Sequence, residues 1–212
     1  MKKYYPLRDP AVVRLMNENP DFARYHMRVR KQARNARMYK REARTDSVTG
    51  LGNKRGYDEQ LEREFSRSKR HKYPLTLGFG DIRGFEEINN MSSHGEGDRV
   101  LNCIARRLEE AVREEDYVAR VYGDEFGLIC VDASSSSAKS LIRRIIQHTC
   151  KVKVKDGAEI EMPISMRFAL VTYPDVPAKT WENLHETADK ALTNVRDKGC
   201  SIYVVSKELF IP

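Results

Sequence analysis

The chain has 212 residues and a formal net charge of +7, with 40% hydrophobic and 33% charged residues. This composition suits a soluble globular protein rather than a disordered one, and no apolar run approaches the roughly 20 residues that cross a bilayer. The length fits one domain with an accessory segment, or two small domains. The excess of basic residues leaves nucleic acid and anionic membranes as candidate partners, so the position of the charge matters.

The positive charge lies in the N-terminal segment. Residues 1–45 hold 13 Lys/Arg and 4 Asp/Glu, whereas the rest of the chain holds 25 and 27. We therefore expect a basic N-terminal helical segment over residues 1–45 and a slightly acidic domain over residues 46–212. Residues 1–20 contain three prolines and predict an irregular or short-helical lead-in. From Asp21 to about Arg44 there is no Pro or Gly, which predicts a helix.

A heptad pattern runs along this helix. Its positions are Phe22, Tyr25, Val29, Gln32, Ala36, Tyr39 and Ala43. The spacing of 3 and 4 residues is that of a coiled-coil seam. Gln32 and the two alanines bury little, so three interpretations stay open: a solvated helix lying on its own domain, a parallel coiled coil that dimerises the chain, and an arm for nucleic acid or membrane.

The elements that follow alternate between strands and helices. We predict strands over 75–80, 117–122, 125–131, 164–171 and 202–205, and a hairpin over 151–160. We predict helices over 85–91, 97–113, about 134 to about 150, and 181–198, and Gly199 ends the last of them. This order predicts an α+β protein with a palm-like, mainly antiparallel central sheet covered by helices.

The cysteines are scattered, without a C-x-x-C pair. They are Cys103, Cys130, Cys150 and Cys200. We therefore expect neither a disulfide framework nor a zinc knuckle. The first residues also lack the apolar stretch of a secretory signal, so a cytoplasmic setting is the expectation.

Carboxylates stand at two places where a strand meets a turn. Asp81 closes one predicted strand, and Asp124 and Glu125 lie in the tight hairpin between two others. If these strands are neighbours, the carboxylates meet at one edge of the sheet. Such an edge offers the oxygen ligands that Mg²⁺ prefers and that phosphoryl transfer uses. Ordinary turn chemistry is the alternative for any one of these residues.

Five ordered blocks resemble motifs of the GGDEF, or diguanylate cyclase, family. They are D-S-V-T-G-L-G-N-K-R at 46–55, F-G-D-I at 79–82 with Phe85 and I-N at 88–89, H-G-E-G-D at 94–98, R-V-Y-G-D-E-F at 120–126, and A-D-K-A-L at 188–192. The resemblance implies a palm-like nucleotidyl-cyclase fold. It also implies a dimeric cyclase of bacterial second-messenger signalling that joins two GTP molecules into cyclic di-GMP.

The resemblance also implies roles for individual residues. Asp81, the Ile82 carbonyl and Asp124 would bind Mg²⁺ or Mn²⁺, and Asp124, with Glu125 beside it, would deprotonate the attacking 3′-hydroxyl. The substrate-binding residues would be Asn89 and Asp98 at the guanine edge, His94 and Phe85 near the substrate, and Arg196 at the phosphates. Two active sites must face each other to close the product, so dimerisation through the N-terminal helix would supply proximity.

A second site is implied by the spacing of an R-x-x-D motif. Arg113 and Asp116 stand at the family's product-inhibition spacing before Tyr122, and Arg144 stands where a second inhibitory arginine would fall. Arg and Asp together can clamp a guanine and a phosphate. A surface helix end with a local ion pair is the alternative.

The chain departs from the family pattern near the substrate. Tyr122 replaces the first glycine of the signature, and Arg83 replaces the second Asp of D-I-D. Glu86 replaces a phosphate-contacting Lys, and Cys200 stands where the family often has an Arg after the glycine. Two functions therefore stay open: an active cyclase, and a degenerate module that binds GTP or cyclic di-GMP as a receptor. A nucleic-acid-binding role for the basic helix is a third hypothesis and the least supported, because no base-stacking pattern accompanies the charge.

Overall fold

The computed structural model describes residues 9–92, 95–198 and 201–205. The chain divides into two compact units between Ala43 and Arg44. This division lies two residues before the boundary expected from the charge pattern.

The first unit contains two helices, α1 (Pro10–Glu18) and α2 (Pro20–Glu42). Each begins with a proline, which suits a first helical position because its missing N–H needs no intrahelical partner there. Asn19 caps α2, because its side-chain oxygen accepts hydrogen bonds from the backbone N–H groups of Asp21 and Phe22 at 3.1 and 3.0 Å. The predicted helix is therefore present, and a second, shorter helix precedes it.

The second unit alternates helices and strands in the order of a mixed α+β domain. Its elements are α3 (Lys54–His71), β1 (Leu75–Ile82), α4 (Phe85–Met91), α5 (Glu96–Ala111), β2 (Tyr117–Tyr122), β3 (Glu125–Val131), α6 (Ser135–Ile145), β4 (Gln147–Lys153), β5 (Glu159–Tyr173), α7 (Trp181–Lys198) and β6 (Ile202–Val205).

These strands form one six-stranded sheet in the order β2-β3-β1-β5-β4, with β6 parallel to β5 and the other pairings antiparallel. All eight residues of β1 are buried, as expected of a central strand covered on both faces. Helices α5 and α6 cover one face of the sheet, and α3 and α7 cover the other. The predicted fold class, a mainly antiparallel sheet covered by helices, is confirmed.

Two local predictions were wrong. Helix α3 was missed, although Tyr57, Leu61 and Phe65 recur every four residues and are buried on the sheet. The helix predicted to reach about residue 150 ends at Ile145, and residues 147–153 form β4 instead. Pairing with β5 decides this segment, because its seven residues align with Glu159 to Ser165. Tertiary pairing outweighs local propensity there.

A disulfide joins Cys103 of α5 to Cys150 of β4. The scattered cysteines predicted no disulfide framework, and this one bond was missed because the spacing of 47 residues gives no local signal of proximity. Cys130 is a free, buried thiol, and burial raises its pKa to about 12. Among the helices that the structure describes, none combines the length and apolar character needed to cross a bilayer.

Candidate functional site

The candidate site lies at the edge of the sheet where β1 ends. The register of β1 places Asp81 opposite Glu125 of β3 on one side and opposite Arg167 of β5 on the other. Residues directly opposite one another in a sheet share a face, so these side chains meet. Side chains two residues apart on a strand point to the same face. Phe79 lies two residues before Asp81, and Ala169 lies two residues after Arg167. Both belong to the core under α3 and α7, so the site lies on that face. Three strands thus bring two acids and an arginine together.

Two arginines neutralise Asp81. Arg167 donates from Nε to Oδ1 and from Nη2 to Oδ2, both at 2.8 Å, in a bidentate pair. Arg196 of α7 donates from Nε to Oδ2 at 2.6 Å. The Asp81 side chain is only 3% exposed, and a buried carboxylate is stable as an ion only when it is paired in this way.

Arg196 also links the two acids of the site. Its Nη2 donates to Oε1 of Glu125 at 2.6 Å. Partial burial lowers the pKa of Arg196, but the hydrogen bonds to Asp81 and Glu125 outweigh it and raise that pKa above its usual value. Arg167, Asp81, Arg196 and Glu125 therefore form one continuous ion-pair network with two positive and two negative charges.

Asp124 lies beside this network at the tip of the β2–β3 hairpin. Burial raises its pKa, and the neighbouring charge of Asp81 raises it further. The turn requires a glycine before it, because Gly123 has a φ of +39°. Arg120 fixes the turn by donating from Nε to the Gly123 carbonyl at 2.6 Å and pairing with Asp46 at 3.3 Å.

The first motif of the chain therefore has a structural part in the site. Asp46 accepts hydrogen bonds from the backbone N–H and the hydroxyl of Thr49 at 2.8 and 2.7 Å, so it closes its own turn while it holds Arg120. The loop continues into Gly52, which pairs with Ala119 of β2. The motif at 46–55 and the signature at 120–126 thus support one another.

The contacts of Asp81, one of the predicted metal ligands, do not favour a cation in this arrangement. Both oxygens of Asp81 already accept hydrogen bonds from guanidinium groups. Nowhere in the part of the chain that the structure describes do three His, Cys, Asp or Glu side chains converge to hold a metal. Binding of Mg²⁺ or Mn²⁺ by Asp81, the Ile82 carbonyl and Asp124 therefore stays a prediction, and the charges present argue against it.

Several predicted substrate residues meet at α4 and the start of α5. A Cβ on Gly97 would collide with Oδ1 of Asn89 and would lie 3.5 Å from Phe85, so these three residues are packed together. Asn89 and Asp98 are both exposed, with polar ends available to a ligand. His94 lies outside the described residues.

The departures from the family pattern lie at the rim of the site. Tyr122 is 55% exposed, and Nζ of Lys54 lies 6.0 Å from the centre of its ring. Arg83 donates to the Ser201 hydroxyl at 3.3 Å, and Glu86 is exposed. Tyr122 thus presents much of its ring to solvent at the tip of β2. Cys200 lies outside the described residues.

The predicted inhibitory residues line one cavity. Arg113, Asp116 and Arg144 surround a volume of about 500 Å³ beside the first turn of α6. Asp116 accepts hydrogen bonds from the backbone N–H groups of Arg113 and Val131 at 3.1 and 3.0 Å, and a carboxylate so engaged still has free lone pairs. The cavity therefore combines two cationic groups with an acceptor, and its role as an inhibitory site stays a prediction.

Sequence reasoning missed Arg167. The signal available was a lone arginine between Met166 and Phe168, which are 1% and 0% exposed. Its partner Asp81 is 86 residues away, so only the strand register identifies the pair. An arginine inside an apolar strand is rarely buried without a partner and would have justified a search for one.

Comparisons with known proteins agree with this architecture. A family model described as "Diguanylate cyclase, GGDEF domain" matches residues 43–201. The diguanylate cyclase DosC of Escherichia coli K12 is 31% identical over 161 residues, which are 74% of this chain and 34% of that protein. The chain thus spans about a third of the length of this relative.

Two solved structures share the fold. One comprises only the GGDEF domain of TpbB (YfiN) from Pseudomonas aeruginosa, with a TM-score of 0.68, 29% identity, and coverage of 77% of this chain and 95% of that one. The other contains the coiled coil and GGDEF domain of DgcB from Caulobacter crescentus in complex with c-di-GMP, with a TM-score of 0.78, 20% identity, and coverage of 88% and 98%. Because the family model covers most of the chain, the chain belongs to the GGDEF domain family.

Proposed function

We propose that this protein is a diguanylate cyclase that binds GTP at the edge of β1 and condenses two GTP molecules into cyclic di-GMP. The observation that carries the proposal is the grouping of Asp81, Glu125 and Arg196 beside Asp124, with Asp81 four residues before the start of α4. Membership of the diguanylate cyclase family supports the same activity. We propose that it serves second-messenger signalling in the bacterial cytoplasm, where GTP is available.

In this proposal Asp124 and Arg196 act directly on the substrate. Asp124 takes the proton of the 3′-hydroxyl of GTP, and its raised pKa suits a proton acceptor. The freed oxygen attacks the α-phosphate of the GTP on the facing copy, and pyrophosphate leaves. Arg196 turns from Glu125 toward the triphosphate, because a guanidinium binds phosphate oxygens in the same geometry as a carboxylate.

The base is read from α4 and α5. Asn89 and Asp98 offer an amide and a carboxylate to the guanine edge, which carries both donors and acceptors. Phe85 and Asn89 both lie against Gly97 of α5, so the start of α5 is packed on α4. Guanine nucleotides are therefore preferred over adenine nucleotides.

We propose that two copies meet through α2. Along the helix, Tyr25, Val29 and Tyr39 of the heptad are 56%, 39% and 68% exposed, so the stripe is available to a partner. A parallel pair of α2 helices would bury these side chains and bring two nucleotide sites together. The expected Mg²⁺ or Mn²⁺ is not assigned to Asp81 in this proposal, and no step above depends on it.

The test is product formation by the full chain. Purified dimeric protein is incubated with GTP and Mg²⁺, and cyclic di-GMP is quantified by chromatography with mass spectrometry. We expect product from the wild type, a loss of at least about 100-fold in Asp124→Asn, and no change in the control Asp175→Asn, an exposed acid outside the site. Absence of product from a dimeric wild type would overturn the proposal.

A second candidate function is reception of cyclic di-GMP without turnover. The cavity that contains Arg113, Asp116 and Arg144 favours it, because its volume of about 500 Å³ lies within the range of small-molecule sites. Calorimetry with cyclic di-GMP tests it: Arg113→Ala should weaken binding at least about tenfold, since a desolvated charged contact is lost. Arg107→Ala on the exposed side of α5, where Arg107 pairs with Glu110, is the matched control. Equal affinities of the two variants would contradict a site in this cavity.

A further inference from the structure

Arg167 is held against Asp81 more firmly than a surface ion pair would be. Its side chain is 22% exposed, it makes two parallel hydrogen bonds, and it projects from β5 directly opposite its partner. Fork-to-carboxylate geometry of this kind fixes orientation as well as charge. Arg196 is 38% exposed and bonds each acid through a single nitrogen, so it is more accessible to a ligand than Arg167 and forms no bidentate pair.

The two arginines at the edge of β1 offset most of the negative charge that would attract a cation. Asp81, Glu125 and the neighbouring Asp124 are three acids, and Arg167 and Arg196 carry two positive charges against them. A divalent ion bound to Asp81 would have to use the one lone pair that the three hydrogen bonds leave on Oδ1, or displace Arg167, and in either case it would lie beside a guanidinium. Like charges at such short range repel strongly in a partly buried site.

We propose that Arg167 is the resident counter-ion of Asp81 and takes the place of a divalent cation at this carboxylate, so that guanine nucleotide binds here without a metal. Arg167 is a positioning residue: it fixes Asp81, while Arg196 turns between Glu125 and the phosphates. Metal-free binding of guanine nucleotide rests on the proposed function, whereas the replacement of a cation by Arg167 at Asp81 does not.

The first test uses Mn²⁺ alone, with no nucleotide, and follows free Mn²⁺ by electron paramagnetic resonance in the full chain. The wild type should not bind Mn²⁺ at Asp81, whereas Arg167→Met should gain a site at least about tenfold tighter than any in the wild type. Adding Asp81→Asn to Arg167→Met should remove the gained site. Arg107→Met, which removes an exposed arginine elsewhere, should gain nothing.

Two outcomes would overturn the proposal. One is a site in the wild type that binds Mn²⁺ tightly and is lost in Asp81→Asn. This result would overturn the proposal even if Arg167→Met fails to fold. The other is a folded Arg167→Met variant that gains no Mn²⁺ site. Neither outcome depends on cyclase activity, so failure of the proposed function is distinguishable from failure of this inference.

The second test compares GTP binding to the wild type in EDTA and in Mg²⁺ by calorimetry. The two affinities should agree within about twofold, because Arg196 rather than a metal meets the phosphates. Strengthening of GTP binding by more than about tenfold on adding Mg²⁺ would contradict metal-independent binding.

Discussion

Replacing Asp81 by Asn should destabilise the GGDEF domain strongly. The carboxylate is buried and accepts three charge-assisted hydrogen bonds, two from Arg167 and one from Arg196. The amide keeps the volume and one acceptor but leaves two guanidinium groups without their counter-charge. The perturbation therefore tests whether the ion-pair network exists in solution.

The size of the effect follows from the burial of the three side chains. Removing one partner of a buried pair costs about 3–5 kcal/mol, because an uncompensated charge is left behind. Here Arg167 and Arg196 are 22% and 38% exposed, so water recovers part of that cost, and we expect a loss of about 2–3 kcal/mol. At roughly 2–4 °C per kcal/mol for a domain of this size, the Tm should fall by about 5–10 °C.

The assay is urea unfolding of the full chain, supported by calorimetry, with Asp175→Asn as an exposed control. A double-mutant cycle with Arg167→Met should give a coupling energy above about 1 kcal/mol. A loss below about 0.5 kcal/mol in Asp81→Asn, or additive effects of the two substitutions, would refute the argument that Arg167 and Asp81 stabilise one another.

Further predictions concern the other parts of the chain. Burial raises the pKa of Asp124 in the folded state, so ionisation of Asp124 disfavours folding as the pH rises. Asp124→Asn should therefore stabilise the protein at pH 7 by under about 1 kcal/mol, and by less toward pH 4, as measured by thermal unfolding. Val29→Glu should convert a dimer to a monomer in analytical ultracentrifugation, whereas Met27→Glu, also exposed on α2, should not. A cyclic di-GMP complex should protect the backbone near Arg113 from hydrogen exchange, and protection absent there would contradict the cavity site.

The sequence predicted the centre of the domain well because its signals are local. The hairpin from Tyr117 to Val131 carries its own turn residues, and β1 is a largely apolar run with an acid as its second-last residue. Both elements form where the spacing of apolar and turn residues over a few positions predicts them. The carboxylates were correctly expected at one edge of the sheet, since the register places Asp81 opposite Glu125.

What the sequence could not supply depends on long-range pairing. The residues after Ile145 were predicted as a continued helix, and pairing with β5 makes them a strand instead. The pairing of Arg167 with Asp81 needs the register of β1 on β5, and the Cys103–Cys150 bond needs the packing of α5 on β4. The metal assignment came from motif positions alone, and motif positions carry no information about a neighbouring arginine.

The most direct test of the central claim is cyclic di-GMP produced from GTP by the purified full chain. We predict product from the dimeric wild type and none above background from Asp124→Asn, with unchanged turnover in Asp175→Asn. A dimeric wild type that binds GTP but forms no cyclic di-GMP would contradict the cyclase and leave the receptor function as the account of this domain.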